Sequence, residues 1–297
     1  MKIFLDCIPC FVRQALDSAR LATDDEQIHE QVVREVLRLA AGLDMSQSPP
    51  AIGQQIHRLI RELIGNNDPY YELKQRFNHL AMRMCTELAE RVRTSQDPLE
   101  TAVRLAIAGN IIDLGVKTSI AESEIERIIN DSLTADFNGQ QIEEFRSAVR
   151  QAVKILYLAD NAGEIVFDCL LIELLPYEKI TVVVKGEPVI NDATMEDAKF
   201  AGLTEMTEVI DNGSDGPGII LETCSQSFRD RFENADLIIA KGQGNYETLS
   251  DLDKNIFFIL KAKCPVIARD LGCEVGEMIL RKSKAFNDIV DLVKEAE

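Results

Sequence analysis

The sequence predicts an α/β protein in which a helical domain, residues 1–150, precedes a doubly wound α/β domain, residues 151–297. Three observations lead there. Up to residue 150, apolar residues recur at the three-to-four spacing of helices that bury one face. From about residue 155 the period changes to short apolar runs of strand length. Five of those runs each end in a polar cluster, as expected when a parallel sheet collects its strand ends along one edge.

In chain order, helices are expected over Pro9–Ala22, Glu26–Gly42, Ala51–Gly65, Tyr70–Arg93 and Asp97–Ile112, separated by polar or Gly/Pro breaks. Glu122–Leu133 and Gln140–Val153 continue the pattern. The stretch Ala106–Gly115 carries Asn110 and Asp113 among apolar residues, either as a helix end capped by Gly115 or as a polar contribution to an interdomain cleft. Ile155–Leu158 then reads as a buried strand and Ile165–Leu175 as the helix that follows it. Further strands are expected at Ile180–Val184, Val209–Ile210, Leu237–Ala240 and Val266–Ala268. A last helix, Ser283–Glu297, would pack back on the body.

Composition narrows the functions such a fold could serve. At 297 residues with 46% hydrophobic content, the chain has material for one large or two ordinary cores. Its net charge of −18, from 50 acidic and 32 basic residues, repels polyanions, so nucleic acid is not an expected partner. A small phosphate ester remains compatible, because Lys185, Lys241 and Arg269 could form a local positive pocket. No charged leader with a long apolar stretch opens the chain, and no segment approaches roughly 18 uninterrupted apolar residues. A cytoplasmic protein without a membrane partner is expected, in an oligomeric state the sequence leaves open.

Seven cysteines, mostly within apolar runs, suit a reducing compartment. Cys85, Cys169, Cys224 and Cys264 read as buried small hydrophobes. Cys7 and Cys10 stand one helical turn apart, as half a metal site or a redox pair would. No second pair completes a zinc set, and His29, His57 and His79 are scattered, which favours a structural role.

The strand-end clusters carry the chemistry. Asp160, Asn161 and Glu164 follow the first strand, Lys185, Asn191 and Asp192 the second, and Lys241, Gly242 and Asn245 the fourth. Carboxylate and amide oxygens suit a hard divalent cation, while lysines and glycine-freed backbone N–H groups suit a phosphate. The Asp211-Asn212-Gly213 stretch is a turn signal, and Thr194 with Asp197 resembles a helix capping box, leaving Asp197 structural. An aspartyl nucleophile would require a second Asp two residues after Asp160, but Ala162 stands there, so attack by a metal-activated water is the expected route. Glu164 is then a candidate base or orienting group, and the Lys241 ammonium would reach the phosphoryl group rather than the cation.

Taken together, Asp-Asn-Ala-Gly-Glu at 160–164, Lys-Gly at 185–186, Asn-Asp-Ala-Thr at 191–194, Lys-Gly-Gln-Gly-Asn-Tyr-Glu at 241–247 and Gly-Asn-x-x-Asp at 109–113 resemble the DUF89 family of ARMT1-like, metal-dependent damage-control phosphatases. Cys-x-x-Cys at 7–10 resembles its prokaryotic branch. The resemblance implies a helical N-terminal region and a Rossmann-like three-layer α/β/α domain. It also implies hydrolysis of small phosphorylated metabolites with a divalent cation such as manganese, magnesium, cobalt or nickel. Carried over by position, the metal ligands fall on Asp160, Asn161 and Asp192, and the phosphate-handling lysine on Lys241. Beside these, the residues themselves make Lys185, Asn191, Gly242 and Asn245 candidate substrate contacts, with Asn110 and Asp113 from the helical part. The Arg-Thr-x-Lys motif of the eukaryotic branch is absent, so substrate assignments from that branch do not transfer. Two other classes share such an edge: a nucleotide- or S-adenosylmethionine-dependent transferase, which the missing Gly-x-Gly-x-x-Gly disfavours, and a non-catalytic phosphometabolite-binding protein.

Overall fold

The computed structural model describes residues 1–112, 122–135, 137 and 139–283. Seven helices come first: α1 (Cys7–Ala22), α2 (Glu26–Ala41), α3 (Pro49–Ile64), α4 (Tyr71–Thr94), α5 (Pro98–Ile112), α6 (Glu122–Thr134) and α7 (Gly139–Gln151). The α/β part then runs β1 (Ile155–Leu158), α8 (Glu164–Ile172), β2 (Ile180–Val184), α9 (Met195–Phe200), α10 (Leu203–Met206) and β3 (Glu208–Asp211). It continues with α11 (Gln226–Glu233), β4 (Leu237–Lys241), α12 (Gly242–Leu249), β5 (Ile256–Lys261), α13 (Pro265–Leu271) and β6 (Met278–Lys282).

The strands form one sheet in the order β3-β2-β1-β4-β5-β6, parallel except for the antiparallel β6. The chain winds outward from β1 in one direction and returns to β4 on its other side. The carboxyl ends of β1 and β4 therefore flank the switch point, where an open α/β sheet leaves a crevice. Because side chains alternate across a strand, Ile155 and Tyr157 join one core with α4, α5, α7 and α8, whereas Leu156 and Leu158 join another with α11, α12 and α13. Helices α1–α3 enclose a third core around Phe11, Val36 and Ile56. Helices α4, α5 and α7 thus pack directly on the sheet, and the cores do not follow the change of sequence period near residue 150.

The fifth expected strand is a helix. Val266–Ala268 lies inside α13, where Pro265 occupies the first turn and presets helical φ, and the strand of that region is Ile256–Lys261, a six-residue run overlooked beside it. Arg269 consequently stands exposed in the last turn of α13 instead of entering a pocket at a strand end. The helix after β1 stops at Ile172, ahead of Pro176. Cys169 and Cys224 are buried as expected, but Cys85 and Cys264 are only half-buried; all seven cysteines are free. Of the expected closing helix only Ser283 is described, and it extends the sheet edge by donating its N–H to the Ile256 carbonyl. Among the described residues no helix is long and apolar enough to cross a membrane.

Candidate active site at the switch point

Beyond β1 the chain stays tied to its neighbours for three more residues. Ala159 donates its N–H to the Val183 carbonyl, Ala193 to the Asp160 carbonyl, and Ala162 to the Asn191 carbonyl, all within 3.0 Å. The segment after β2 is thereby folded back over the end of β1, and Asn161 and Asp192 form an antiparallel bridge. Asp160, Asn161 and Asp192, separated by some thirty positions, meet because backbone pairing holds them there, and all three are buried. Lys185 leaves β2 beside them; its ammonium donates to the Gly218 carbonyl and lies 3.4 Å from Asp192 Oδ2.

Gly242 completes the corner. It opens α12 at φ +76°, in the left-handed region, and an added Cβ would lie 1.8 Å from Asp160 Oδ2. Only a residue without a side chain lets the Asp160 carboxylate occupy that space. Asn245, one turn on, is buried, donates its Nδ2–H to the Lys241 carbonyl at 2.7 Å, and its Oδ1 finds no partner among the described residues. The Nδ2 of buried Asn191 is likewise without a partner among the described residues.

Beneath this rim lies a sealed ionic network. Asn161 Nδ2 donates to Asp160 Oδ2 at 2.8 Å and to Glu164 Oε2 at 2.9 Å. Lys241, fully buried, donates to Glu164 Oε1 at 2.7 Å, to the Ala106 carbonyl at 3.0 Å and to Asp168 Oδ1. Burial opposes the lysine's charge, yet Asp168 and Glu164 outweigh it and push its pKa up. Burial raises the Asp168 carboxyl to about 6 against the pull of Lys241. It also raises the Tyr157 phenol, with the Asp168 charge next to it adding to the effect.

The helical part closes the site from above. Asn78 of α4 accepts the Gly163 N–H at 2.7 Å and donates to Asp197 at 2.7 Å, while Asp197 accepts the Thr194 N–H, as its structural assignment required. Gly163, at φ +75°, turns the chain into α8 so tightly that a Cβ there would sit 2.9 Å from Phe77 Cβ. On α5, Gly109 lets the backbone pack against Glu164; the side chain of Asn110 and all of Asp113 lie outside the described residues. Helix α3 reaches the rim through Asp215, which receives hydrogen bonds from Arg58, from Arg61 and from Gln54, and Arg61 also holds the Pro188 carbonyl at 2.9 Å.

The oxygen donors fit a hard divalent cation. Both N–H groups of the Asn161 amide are engaged by carboxylates, which leaves its Oδ1 for the site, next to the carboxylates of Asp160 and Asp192. Among the described residues no group of three or more His, Cys, Asp or Glu is arranged to hold a metal. Sequence reasoning missed Asp168, Tyr157 and the α3 clamp. Asp168 is a charge in the middle of the apolar run Ile165–Ile172, every residue of which is buried, and that was its one signal.

Comparison with known proteins adds to the geometry. Residues 3–279 match the model of the damage-control phosphatase ARMT1-like domain. The chain is 41% identical over 293 residues to an uncharacterized protein of Methanocaldococcus jannaschii, covering 95% of this chain and 96% of that protein. It is 40% identical over 291 residues to a damage-control phosphatase of Archaeoglobus fulgidus, covering 95% and 99%. A damage-control phosphatase of Pyrococcus horikoshii is 36% identical over 291 residues, covering 96% and 99%. The crystal structure of a DUF89 family protein from Pyrococcus horikoshii superposes with a TM-score of 0.84 at 34% identity, covering 96% of this chain and all of that one.

Proposed function

The chain belongs to the damage-control phosphatase ARMT1-like family, and from that premise we propose that it is a phosphatase that hydrolyses small phosphorylated metabolites with a divalent cation held by Asp160, Asn161 and Asp192. The observation that carries the reading is the convergence of these three oxygen donors on bridged backbone at the switch point, with the Asn161 carbonyl turned outward. A bound divalent cation supplies charge neutralisation for a phosphoryl group and a lowered pKa for water.

The remaining groups of the rim orient the ester. Asn191 offers an unpartnered amide N–H for a phosphoryl oxygen, and Asn245 an unpartnered carbonyl for a substrate hydroxyl. Lys185 sets positive charge on the same side. Gly242 leaves the Asp160 carboxylate its place against the start of α12.

Phosphate release from p-nitrophenyl phosphate and a panel of sugar phosphates, with Mn²⁺, Co²⁺, Ni²⁺ or Mg²⁺, tests the proposal. Turnover is expected with at least one cation and none in excess chelator. Asp160→Ala, Asn161→Ala and Asp192→Ala should each lose cation binding together with turnover. Full activity after chelation would exclude the mechanism.

A further inference from the structure

We propose that Asp168, Lys241 and Glu164 form a buried positioning device that dictates which end of the Asn161 amide faces the site, so that Lys241 acts through Glu164 rather than on a phosphoryl oxygen. The inference rests on the reading of Asp160, Asn161 and Asp192 as cation ligands.

An asparagine side chain is nearly symmetric in shape but not in chemistry: its oxygen ligates a cation and its NH₂ repels one. Something must choose between the two orientations. Here Asp160 Oδ2 and Glu164 Oε2 accept both amide N–H groups, at 2.8 and 2.9 Å. The flipped amide would turn its oxygen toward two carboxylates and its N–H groups toward the cation, unfavourable on both sides. Asp160 is itself a ligand, so Glu164 is the member of the pair to which the direction of the amide falls.

Glu164 has no exposed surface, and a carboxylate sealed that way needs compensation. Lys241 provides it at 2.7 Å. The three ammonium protons go to Glu164, Asp168 and the Ala106 carbonyl, so none remains for a phosphoryl oxygen. Asp168, one helical turn from Glu164 on α8, pulls on the other side of the ammonium and holds it between two carboxylates. Without the ammonium, Glu164 and Asp168 would face each other with no countercharge, and Glu164 would lose the contact that keeps Oε2 on Asn161.

This assignment reverses one expectation. A lysine that contacts phosphate would, when replaced, lower turnover and leave cation affinity intact. A positioning lysine, when replaced, weakens the cation itself.

The test reads the Mn²⁺ dissociation constant, by electron paramagnetic resonance of free Mn²⁺, with circular dichroism reporting the fold. Glu164→Gln presents a donor to the Asn161 amide, which should flip; affinity should fall by about tenfold or more, within the range typical for groups that orient metal ligands. Adding Asn161→Asp to that variant restores an acceptor facing the introduced glutamine and an oxygen facing the cation. Affinity should return to within about threefold of wild type, a rescue that a purely structural role does not produce. Lys241→Met should weaken Mn²⁺ binding as Glu164→Gln does. If it fails to fold, Lys241→Met with Asp168→Asn removes one of the two uncompensated carboxylates and carries the same expectation. Wild-type affinity in the Glu164→Gln variant, or a double variant no better than the single one, would overturn the proposal. A wild-type protein that binds no Mn²⁺, Co²⁺, Ni²⁺ or Mg²⁺ would overturn the cation site itself, and this inference with it.

Discussion

At the scale of single residues, the site depends on what is missing as much as on what is present. Gly242 is the sharpest case, since any side chain there overlaps the Asp160 carboxylate. Gly242→Ala is expected to displace that carboxylate, abolish cation binding measured by calorimetry, and reduce turnover by roughly 10²-fold or more, as misplacement of a catalytic group by about an ångström does. Normal turnover in that variant would show that Asp160 is not held against the α12 turn. That Asp160, Asn161 and Asp192 would gather at one edge of the sheet was legible in the sequence because they stand in segments that follow apolar runs, where strand ends collect polar residues. Lys241 was legible as a strand-end residue, but its partners were not. A lysine at a strand end looks solvent-facing until Ala106, Glu164 and Asp168 are seen to enclose it, and those lie 73 to 135 positions away in the chain.

At the scale of elements, α3 and α1 can be tested independently of the chemistry. Burial alone would raise the Asp215 carboxyl, but Arg58, with Gln54 and Arg61, outweighs it and lowers the pKa from 3.8 to about 2. A carboxyl with a depressed folded-state pKa stabilises the fold fully above 3.8 and progressively less as pH falls toward 2. Denaturant unfolding between pH 5 and pH 3 should therefore show a stability loss that is smaller in Asp215→Asn than in wild type; identical slopes would mean that α3 is not latched by this carboxylate. In α1, burial pushes both the Cys7 and Cys10 thiols up, so they rest as thiols and not as thiolates at neutral pH. Replacing both by Ser should leave kcat unchanged at moderate temperature, and a loss of kcat with the fold intact would give the pair a role in the reaction. Most helices and the first four strands were readable from period and from flanking Gly, Pro and polar breaks. The region after residue 250 was not: a three-residue apolar run behind Pro265 imitated a strand, and the antiparallel β6 is half-buried everywhere but at Leu280, which breaks the pattern of a buried strand.

At the scale of the molecule, the two sequence regions share one interior. Phe145 of α7 packs edge-on against Phe257 of β5 at 5.4 Å between ring centres, and Asn78 and Ala106 of the helical part accept hydrogen bonds from Gly163 and Lys241. A fragment comprising residues 151–297 would expose that sheet face and leave those groups unpaired. It is expected to remain unfolded by circular dichroism and to bind no Mn²⁺; a folded, cation-binding fragment would show the α/β part to be self-sufficient. The buried lysine between two carboxylates also constrains the order in which this protein can be made. During synthesis Glu164 and Asp168 leave the ribosome well before Lys241, and until β4 arrives α8 carries two acidic groups that cannot enter the interior uncompensated. Stable docking of α8 is therefore expected to follow the arrival of β4, whose closing lysine supplies the countercharge for both carboxylates.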